Sequence, residues 1–302
     1  MCGFVCLWKI DDPGLARRMI DKIAHRGPDE MRVSQAPNVP AVMAHCRLSI
    51  IGLENGTQPI YSAENVLVAN GEIYNYADLR AILGESAFET ESDSETILHL
   101  FRSDELQWIA KLDGMFAFVL ATPERIIAAR DPLGIKPLFM ARIDKGLAFT
   151  SELKAFDGLG LREVEAIDPG AMFDSIDGFR EWCRMPQGAA ELKPGEDPEP
   201  IWRELLLVLE AAVRKWMVAD VEVGAFLSGG LDSSVIAALA ARALDRPLQT
   251  FSVGTAGSPD LAAARTVAQH IGSDHHELVF RADDLAKILP HVIYHLESAD
   301  VD

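Results

Sequence analysis

The chain has 302 residues, of which 49% are hydrophobic and 25% are charged, and its formal net charge is −18. This acidic balance argues against nucleic acid or an anionic membrane as the main partner, and four cysteines are too few for a disulfide scaffold. No apolar run reaches the roughly 18 residues of a membrane span, and the N-terminus has no signal-peptide pattern, so we expect a cytoplasmic protein.

The first part of the chain contains short apolar runs that are typical of strands, punctuated by turn residues. These runs are Gly3–Trp8, Ala41–Cys46, Val66–Asn70, Met115–Ala121, Arg125–Ala129 and Leu147–Thr150. Apolar residues recur at the spacing of a helix in Leu15–Ile23, Tyr76–Leu83 and Ser94–Phe101. Many strands with few helices between them predict an α+β domain over residues 1–185, with antiparallel sheets covered by helices.

The pattern changes after the acidic, proline-rich stretch "ELKPGEDPEP", which indicates a linker over residues 186–200. Beyond it, helices and strands alternate. The predicted order is a helix over 201–219, a strand at Val221–Leu227, a helix at Ser233–Leu244, a strand at Leu248–Val253, a helix at Leu261–Ile271 and a strand at His276–Phe280. This alternation predicts an α/β domain with a parallel sheet over residues 201–302.

The cysteine at position 2 allows two interpretations. Free cysteine is often buried, so Cys2 could simply start a buried strand. Cys6 lies on the same strand face and is expected to be in the core. Alternatively, removal of Met1 would give one residue both a thiol nucleophile and a free amine, whose ordinary pKa of about 7.7–8.0 makes it a base near neutral pH.

The stretch "SGGLDSS", Ser228–Ser234, lies between a predicted strand and a predicted helix. Two glycines allow close approach of the backbone to a ligand, and the helix N-terminus favours an anion, so the stretch predicts a phosphate-binding loop. It lacks the lysine of the Walker A motif. The alternative is a glycine turn in which Ser233 only caps the helix.

This loop resembles the pyrophosphate loop of the ATP pyrophosphatases. The resemblance implies that the phosphates are held by Ser228, Gly229, Gly230, Asp232, Ser233 and Ser234, with Asp232 acting through magnesium. It also implies that the backbone at Leu227 and Val253 flanks the adenine.

The first domain resembles the class II, N-terminal-nucleophile glutamine amidotransferases. Seven stretches occur in the family's order: "MCGFV", "HRGPD", "RLSI", "NGEIYN", "SDSE", "GMFAF" and "RDPLGIKPL". With the phosphate loop and the later stretches "SVGTAGSPDL" and "VIYHLESADV", the whole chain is similar to the glutamine-hydrolysing asparagine synthetase family. The resemblance implies an αββα sandwich of N-terminal-nucleophile hydrolase type, followed by an adenine-nucleotide α-hydrolase-like domain that is truncated here.

The resemblance also implies the roles of six residues in the first domain. Cys2 attacks the side-chain amide of glutamine, and the Asn70 side chain and the Gly71 N–H stabilise the oxyanion. Arg47 binds the α-carboxylate of glutamine, while Glu72 and Asp93 bind its α-ammonium. For each charged residue, a plain surface ion pair is the alternative. His25 is expected to be structural, because the amine already supplies a base.

The implied partners are glutamine, aspartate and ATP with Mg²⁺ as substrates, and a second copy of the chain in a homodimer. We expect no prosthetic group and no bound metal, since the run His270, Asp274, His275, His276 and Glu277 is better explained by a strand start than by a ligand set.

Two alternatives to aspartate amidation stay open at this point. The acceptor could be another carboxylate, as in amide- or β-lactam-forming relatives, or the chain could be a non-catalytic regulatory subunit. Because the family's synthetase domain is longer than residues 201–302, the expectation is that this chain alone hydrolyses glutamine but makes no asparagine.

Overall fold

The computed structural model describes residues 1–103, 107–186 and 197–297, and the chain divides into two compact units, Met1–Gln187 and Gly188–Asp302. Most of the predicted linker and the end of the "VIYHLESADV" stretch lie outside the described residues. Among the helices that are described, none is both long enough and apolar enough to cross a membrane.

The described part of the first unit contains twelve strands and three α-helices. The strands are β1 Gly3–Trp8, β2 Glu30–Gln35, β3 Ala41–Arg47, β4 Ile60–Ser62, β5 Asn65–Ile73, β6 Gly114–Ala121, β7 Ile126–Arg130, β8 Phe139–Ile143, β9 Gly146–Thr150, β10 Val164–Ala166, β11 Ala171–Asp174 and β12 Gly178–Glu181. The helices are α1 Pro13–Asp21, α2 Tyr76–Leu83 and α3 Glu95–Arg102.

The strands form two antiparallel six-stranded sheets that pack face to face. One sheet has the order β10-β8-β9-β1-β3-β2, and the other has the order β12-β11-β7-β6-β5-β4. Helix α1 packs on the outer face of the first sheet, and α2 and α3 pack on the outer face of the second. The unit is therefore the αββα sandwich that the resemblance implied.

Strand β1 shows why the sequence builds this layering. Alternate side chains of a strand point to opposite faces, and β1 is apolar at every position, so it can be covered on both sides. Phe4, Cys6 and Trp8 face the second sheet, whereas Val5 and Leu7 pack in the cluster under α1. The expectation that Cys6 lies in the core is thus confirmed.

In the second unit, strands and helices alternate as predicted. The elements are α4 Glu199–Trp216, β13 Gly224–Phe226, α5 Leu231–Arg242, β14 Gln249–Thr255, α6 Pro259–Ile271, β15 Asp274–Phe280 and α7 Ala282–Leu296. The strands form a parallel sheet in the order β13-β14-β15. This is the α/β parallel-sheet domain that the alternation predicted.

Several elements differ from the sequence-based prediction. Strands β2, β4, β8 and β10–β12 and helix α7 were not predicted. The strand predicted at Val221–Leu227 is shorter, because pairing with β14 begins only at Gly224, opposite Gln249. Helix α5 begins at Leu231 with Gly230 as its N-cap, so the alternative in which Ser233 caps that helix is wrong.

Candidate active site

Cys2 lies directly before β1, half-buried against the segment that follows β3. The backbone N–H of Leu48 donates to the Cys2 Sγ at 3.4 Å, and the Sγ lies 3.5 Å from the Leu48 carbonyl oxygen. Burial raises the pKa of the Cys2 thiol, and the Leu48 N–H and the neighbouring N-terminal amine offset this only in part. The thiol therefore needs a base to become a thiolate near neutral pH.

Asn70 and Gly71 lie on β5 close to this cysteine. The Asn70 amide is oriented so that both its nitrogen and its oxygen have a hydrogen-bond partner. The nitrogen donates to the Cys2 carbonyl oxygen at 3.0 Å, and the oxygen accepts from Arg26 Nη2 at 3.1 Å. Gly71 has φ of +150°, and a Cβ there would lie 2.0 Å from the Met115 carbonyl oxygen. Position 71 therefore requires glycine, which keeps the backbone beside the Asn70 amide in place.

Arg26 connects Cys2 to a buried ion-pair network. Its Nε–H donates to the Cys2 carbonyl oxygen at 2.7 Å, and its Nη1 pairs with Glu152 Oε1 at 2.6 Å. Glu152 also pairs with Lys154 at 2.6 Å and with His25 at 3.2 Å. Burial alone would raise the pKa of Glu152, but the hydrogen bonds from Lys154 and Arg26 prevail and hold it below its ordinary value. Glu152 is therefore ionised and fixes Arg26.

Arg47, the last residue of β3, is buried in the loop that follows. Its guanidinium donates to the carbonyl oxygens of Leu53 at 3.3 Å, Ile51 at 3.3 Å and Gly52 at 2.6 Å. Within the described part of the chain, it meets carbonyl oxygens and no carboxylate. A buried cation without a counter-ion suits the binding of an anionic ligand group.

Two acidic residues lie at the end of β5. Glu72 follows Gly71 on β5 and is near enough to act electrostatically on the Cys2 thiol. Asp93 is buried, and its Oδ2 accepts from the backbone N–H of Ile73 at 2.5 Å. Burial raises the pKa of Asp93 to about 6, although the hydrogen bond from Ile73 opposes this. The structure thus places Asn70 in contact with Cys2, puts Arg47 and Glu72 within electrostatic range of the Cys2 thiol, and has Gly71 and Asp93 beside these β5 residues.

The phosphate-binding loop predicted in the second unit is a tight turn between β13 and α5. Ser228 Oγ and Ser233 Oγ lie 2.9 Å apart, and Ser233 Oγ also accepts from the Ser228 N–H at 3.3 Å. Ser234 Oγ donates to the Gly230 carbonyl oxygen at 2.6 Å. Gly229 has φ of +80°, and a Cβ there would lie 2.5 Å from the Ala264 nitrogen of α6. The loop therefore packs directly on α6, with exposed Asp232 in the first turn of α5.

Leu227 and Val253 lie on neighbouring chain segments beside that loop. The Leu227 N–H donates to the Phe251 carbonyl oxygen at 2.8 Å, and the Leu227 side chain is buried. Val253 lines an open apolar pocket of about 500 Å³ together with Phe226, Phe251 and Leu278. An apolar pocket of this kind next to a phosphate loop suits a flat heterocyclic base.

Comparison with protein families decides the class of the first unit. A family model described as a glutamine amidotransferase domain matches residues 1–176, which is more than half of the chain. The chain belongs to the glutamine amidotransferase family. A second model, described as asparagine synthase, matches residues 204–302. Both resemblances inferred from the motifs are thereby confirmed.

The chain is also similar over the whole of the given sequence to plant proteins. It is 37% identical to asparagine synthetase [glutamine-hydrolyzing] 2 of Oryza sativa subsp. japonica, covering 100% of this chain and 53% of the relative. It is 37% identical to asparagine synthetase [glutamine-hydrolyzing] of Zea mays, covering 100% of this chain and 54% of the relative. The chain spans about half the length of the curated relatives it matches.

Solved structures agree with the fold of the amidotransferase. Glutamine phosphoribosylpyrophosphate amidotransferase from B. subtilis superimposes with a TM-score of 0.53 at 18% identity, covering 95% of this chain and 70% of that one. A structure described as the allosteric regulatory enzyme of purine biosynthesis has a TM-score of 0.53 at 16% identity, covering 92% of this chain and 80% of that one. At such identities, the likeness concerns the fold alone, which is that of the N-terminal-nucleophile amidotransferases.

Three residues around Met1 and Cys2 were not predicted individually: Arg26, Glu152 and Lys136, whose Nζ lies 3.2 Å from the Met1 Sδ. Arg26 and Lys136 lie in the quoted stretches "HRGPD" and "RDPLGIKPL", so the motifs pointed to the segments but not to these side chains. Glu152 follows β9 with no motif of its own. Its buried position between Arg26 and Lys154 is visible only in the structure.

Proposed function

We propose that the first unit hydrolyses glutamine, with Cys2 as the nucleophile and the amine of residue 2, freed by removal of Met1, as the base. The observation that carries this proposal is the position of Cys2, whose Sγ and carbonyl oxygen lie between the Leu48 N–H, the Asn70 amide and Arg26. A thiol with a raised pKa beside a free amine forms a nucleophile and base in one residue.

In the proposed reaction, the amine takes the thiol proton while the sulfur attacks the side-chain carbonyl carbon of glutamine. The amide nitrogen then leaves as ammonia after receiving that proton, and a thioester forms on Cys2. Water hydrolyses the thioester and releases glutamate. The Asn70 amide and the Gly71 N–H donate to the oxyanion of each tetrahedral intermediate.

Substrate binding in this proposal uses opposite charges on the two ends of the glutamine backbone. The Arg47 guanidinium takes the α-carboxylate, for which a planar fork of N–H donors is suited. Glu72 and Asp93 take the α-ammonium. Their positions support this assignment, because Glu72 follows Gly71 on β5 and Asp93 accepts from the N–H of Ile73, the last residue of that strand.

For the second unit, we infer that Ser228–Ser234 bind the phosphates of ATP. The supporting features are the N-terminus of α5, the hydroxyls of Ser228, Ser233 and Ser234, and the close backbone approach at Gly229. Mg²⁺ is commonly held by one or two carboxylates together with substrate phosphates, so Asp232 alone is a sufficient protein ligand. The metal would neutralise phosphate charge there. Leu227 and Val253 would flank the adenine.

The complete reaction proposed is the transfer of ammonia from glutamine to an ATP-activated aspartate, in keeping with the name asparagine synthetase [glutamine-hydrolyzing] that the plant relatives carry. We further propose that the protein acts as a homodimer in the cytoplasm and binds no nucleic acid or membrane, in keeping with the net charge of −18.

The decisive test of the glutaminase proposal is glutamate release by protein that lacks Met1, as verified by intact mass. Cys2→Ala should abolish release, whereas Cys183→Ala, which removes a half-buried thiol near the end of the first unit, should leave it unchanged. Substantial hydrolysis by Cys2→Ala would show that the nucleophile has been assigned wrongly.

A further inference from the structure

Ala69, the residue before Asn70 on β5, is held through both of its backbone polar groups by side chains. Strand β4 pairs with β5 over 65–67, so Ala69 lies two residues beyond that pairing. Its N–H donates to the Gln58 Oε1 at 2.6 Å, and its carbonyl oxygen accepts from the His45 Nε2 at 3.2 Å. Gln58 is 6% exposed and His45 is 2% exposed. Two buried side chains therefore fix the backbone from which the Asn70 side chain extends.

His45 makes its contact across the space between the two sheets. Met43, two residues earlier on β3, packs in the cluster between the sheets, and His45 lies on the same face of that strand. Val68 packs in this cluster from β5, so Asn70 also faces the space between the sheets. The hydrogen bond from His45 thus ties the backbone of β5, directly beside Asn70, to β3 of the opposite sheet.

The imidazole of His45 acts as a hydrogen-bond donor in this contact. A carbonyl oxygen only accepts, so the ring proton lies on Nε2. Burial lowers the pKa of His45 to about 4, and the hydrogen bond to Ala69 offsets this only in part. His45 is therefore neutral at about pH 7, and its single ring proton is held in the bond to Ala69. A proton held in this way supports the backbone and is not available for transfer to a substrate.

The tip of the Asn70 side chain is held separately from its backbone. Its amide bonds the Cys2 carbonyl oxygen and Arg26, whereas Gln58 and His45 act one residue earlier along the strand. Hydrogen bonds at both ends restrict the side chain to one position. Donors to an oxyanion are effective only when they are in place before the reaction, because no stabilisation is then spent on moving them.

We propose that His45 and Gln58 are positioning residues of the glutaminase site, which hold the Asn70 amide where the oxyanion of the tetrahedral intermediate forms. This inference rests on the proposed glutaminase function, in which Asn70 donates to that oxyanion. Neither His45 nor Gln58 touches the substrate in this proposal. Each acts through Ala69 on the position of Asn70, so their loss should slow the reaction without weakening the binding of glutamine.

The test measures glutamine hydrolysis by the Met1-free protein and by His45→Met, which keeps a long side chain but removes the donor. We expect kcat per folded molecule to fall at least about tenfold, as for a misplaced catalytic group, with KM within about threefold of the parent value. His45→Gln, whose amide can donate from a similar position, should recover most of this loss. Gln58→Met, which removes the acceptor for the Ala69 N–H, should resemble His45→Met.

Ser175→Ala is the matched control for losing a hydrogen bond between a side chain and the backbone. Ser175 Oγ accepts from the Ile126 N–H at 3.1 Å. Ile126 begins β7, whereas the β7 residue in line with Asn70 is Arg130, at the other end of that strand. The control variant should therefore keep the parent kcat and KM. Urea unfolding of every variant gives the folded fraction to which its kcat is referred.

A double substitution separates the positioning of Asn70 from a general structural effect. In Asn70→Ala, the amide that His45 positions is gone, so adding His45→Met should lower kcat by less than about twofold further. If the two losses multiply, the proposal is overturned. The parent kcat in a folded His45→Met, or a raised KM with an unchanged kcat, would also overturn it. Should His45→Met not fold, Gln58→Met supplies the same comparisons. The parent kcat in Asn70→Ala, or glutamate release by Cys2→Ala, would count against the proposed function itself.

Discussion

The Nε–H of Arg26 donates to the backbone carbonyl oxygen of Cys2 at 2.7 Å, so one buried guanidinium holds the residue that carries the thiol. The same guanidinium bonds the Asn70 amide oxygen through Nη2 and Glu152 through Nη1. The proposed nucleophile and the proposed oxyanion donor are thus positioned by a single side chain.

Replacing Arg26 should therefore impair catalysis more than substrate binding. For Arg26→Met, we expect kcat for glutamine hydrolysis to fall about 100-fold, the scale of losing an oxyanion donor, while KM stays within about threefold. The free energy of unfolding should also fall by about 3 kcal/mol, because Glu152 loses a buried partner.

A matched control for this substitution is Arg17→Met. Arg17 pairs with Asp21 at 2.9 Å on the surface of α1, and such exposed pairs contribute less than about 1 kcal/mol. Steady-state kinetics and urea unfolding of both variants check the prediction. An Arg26→Met protein with the parent kcat would show that the guanidinium does not position the site.

Gly71 should tolerate no side chain. In Gly71→Ala, the added Cβ would lie 2.0 Å from the Met115 carbonyl oxygen at φ of +150°, and we expect a loss of about 3 kcal/mol in unfolding free energy together with loss of hydrolysis. Gly84→Ala separates the cost of a positive φ from the cost of the steric clash, because Gly84 has φ of +93° with nothing within 4 Å of the added Cβ. That control variant should lower the free energy of unfolding by only about 1 kcal/mol. Equal losses in the two variants would contradict the steric argument.

Asp93 should make stability depend on pH. Its pKa of about 6 in the folded protein exceeds the unfolded value of about 3.9, so the folded state binds the extra proton. The stabilising contribution is complete below about pH 4 and is lost as pH rises through about 6. Relative to Asp93→Asn, the parent protein should lose on the order of 3 kcal/mol across this range, measured by urea unfolding. A pH-independent difference between the two would refute the raised pKa.

The same titration should appear in substrate binding. If the Asp93 carboxylate binds the ammonium of glutamine, KM for glutamine should rise as pH falls below about 6, the pKa of that carboxyl. Asp93→Asn should have a raised KM that no longer changes over this range. Kinetics between pH 5 and 8 in the parent and in the variant would check this, and a flat KM in the parent protein would contradict it.

ATP binding should depend on the close approach of Gly229 to α6. In Gly229→Ala, the Cβ would lie 2.5 Å from the Ala264 nitrogen at φ of +80°, so the loop must move away from α6, and the affinity for Mg²⁺-ATP should fall at least about tenfold. Gly257→Ala is the matched control, because Gly257 has φ of +79° with nothing within 4 Å. Calorimetric titration of both variants compares them. An unchanged affinity in Gly229→Ala would count against the phosphate loop.

The sequence by itself determined those features whose cause is local. The apolar run Gly3–Trp8 predicted strand β1, and "SGGLDSS" between a strand and a helix predicted a phosphate-binding turn. The motif order also predicted the amidotransferase family, since each motif is read from neighbouring residues. Short strands such as β4 and β12 were missed, because three or four residues carry too little periodicity to stand out before their partners are known.

Only the tertiary structure decided which distant side chains meet around Met1 and Cys2. Arg26 reaches Cys2 across 24 positions and Glu152 across 126, and Lys136 reaches Met1 across 135. Arg26, Glu152 and Lys136 lie on segments between strands, so these contacts depend on the strand order and register that bring those segments together in the sandwich. The charge environment of the thiol and amine is set by the same packing, because burial and neighbouring charges together determine their pKa values.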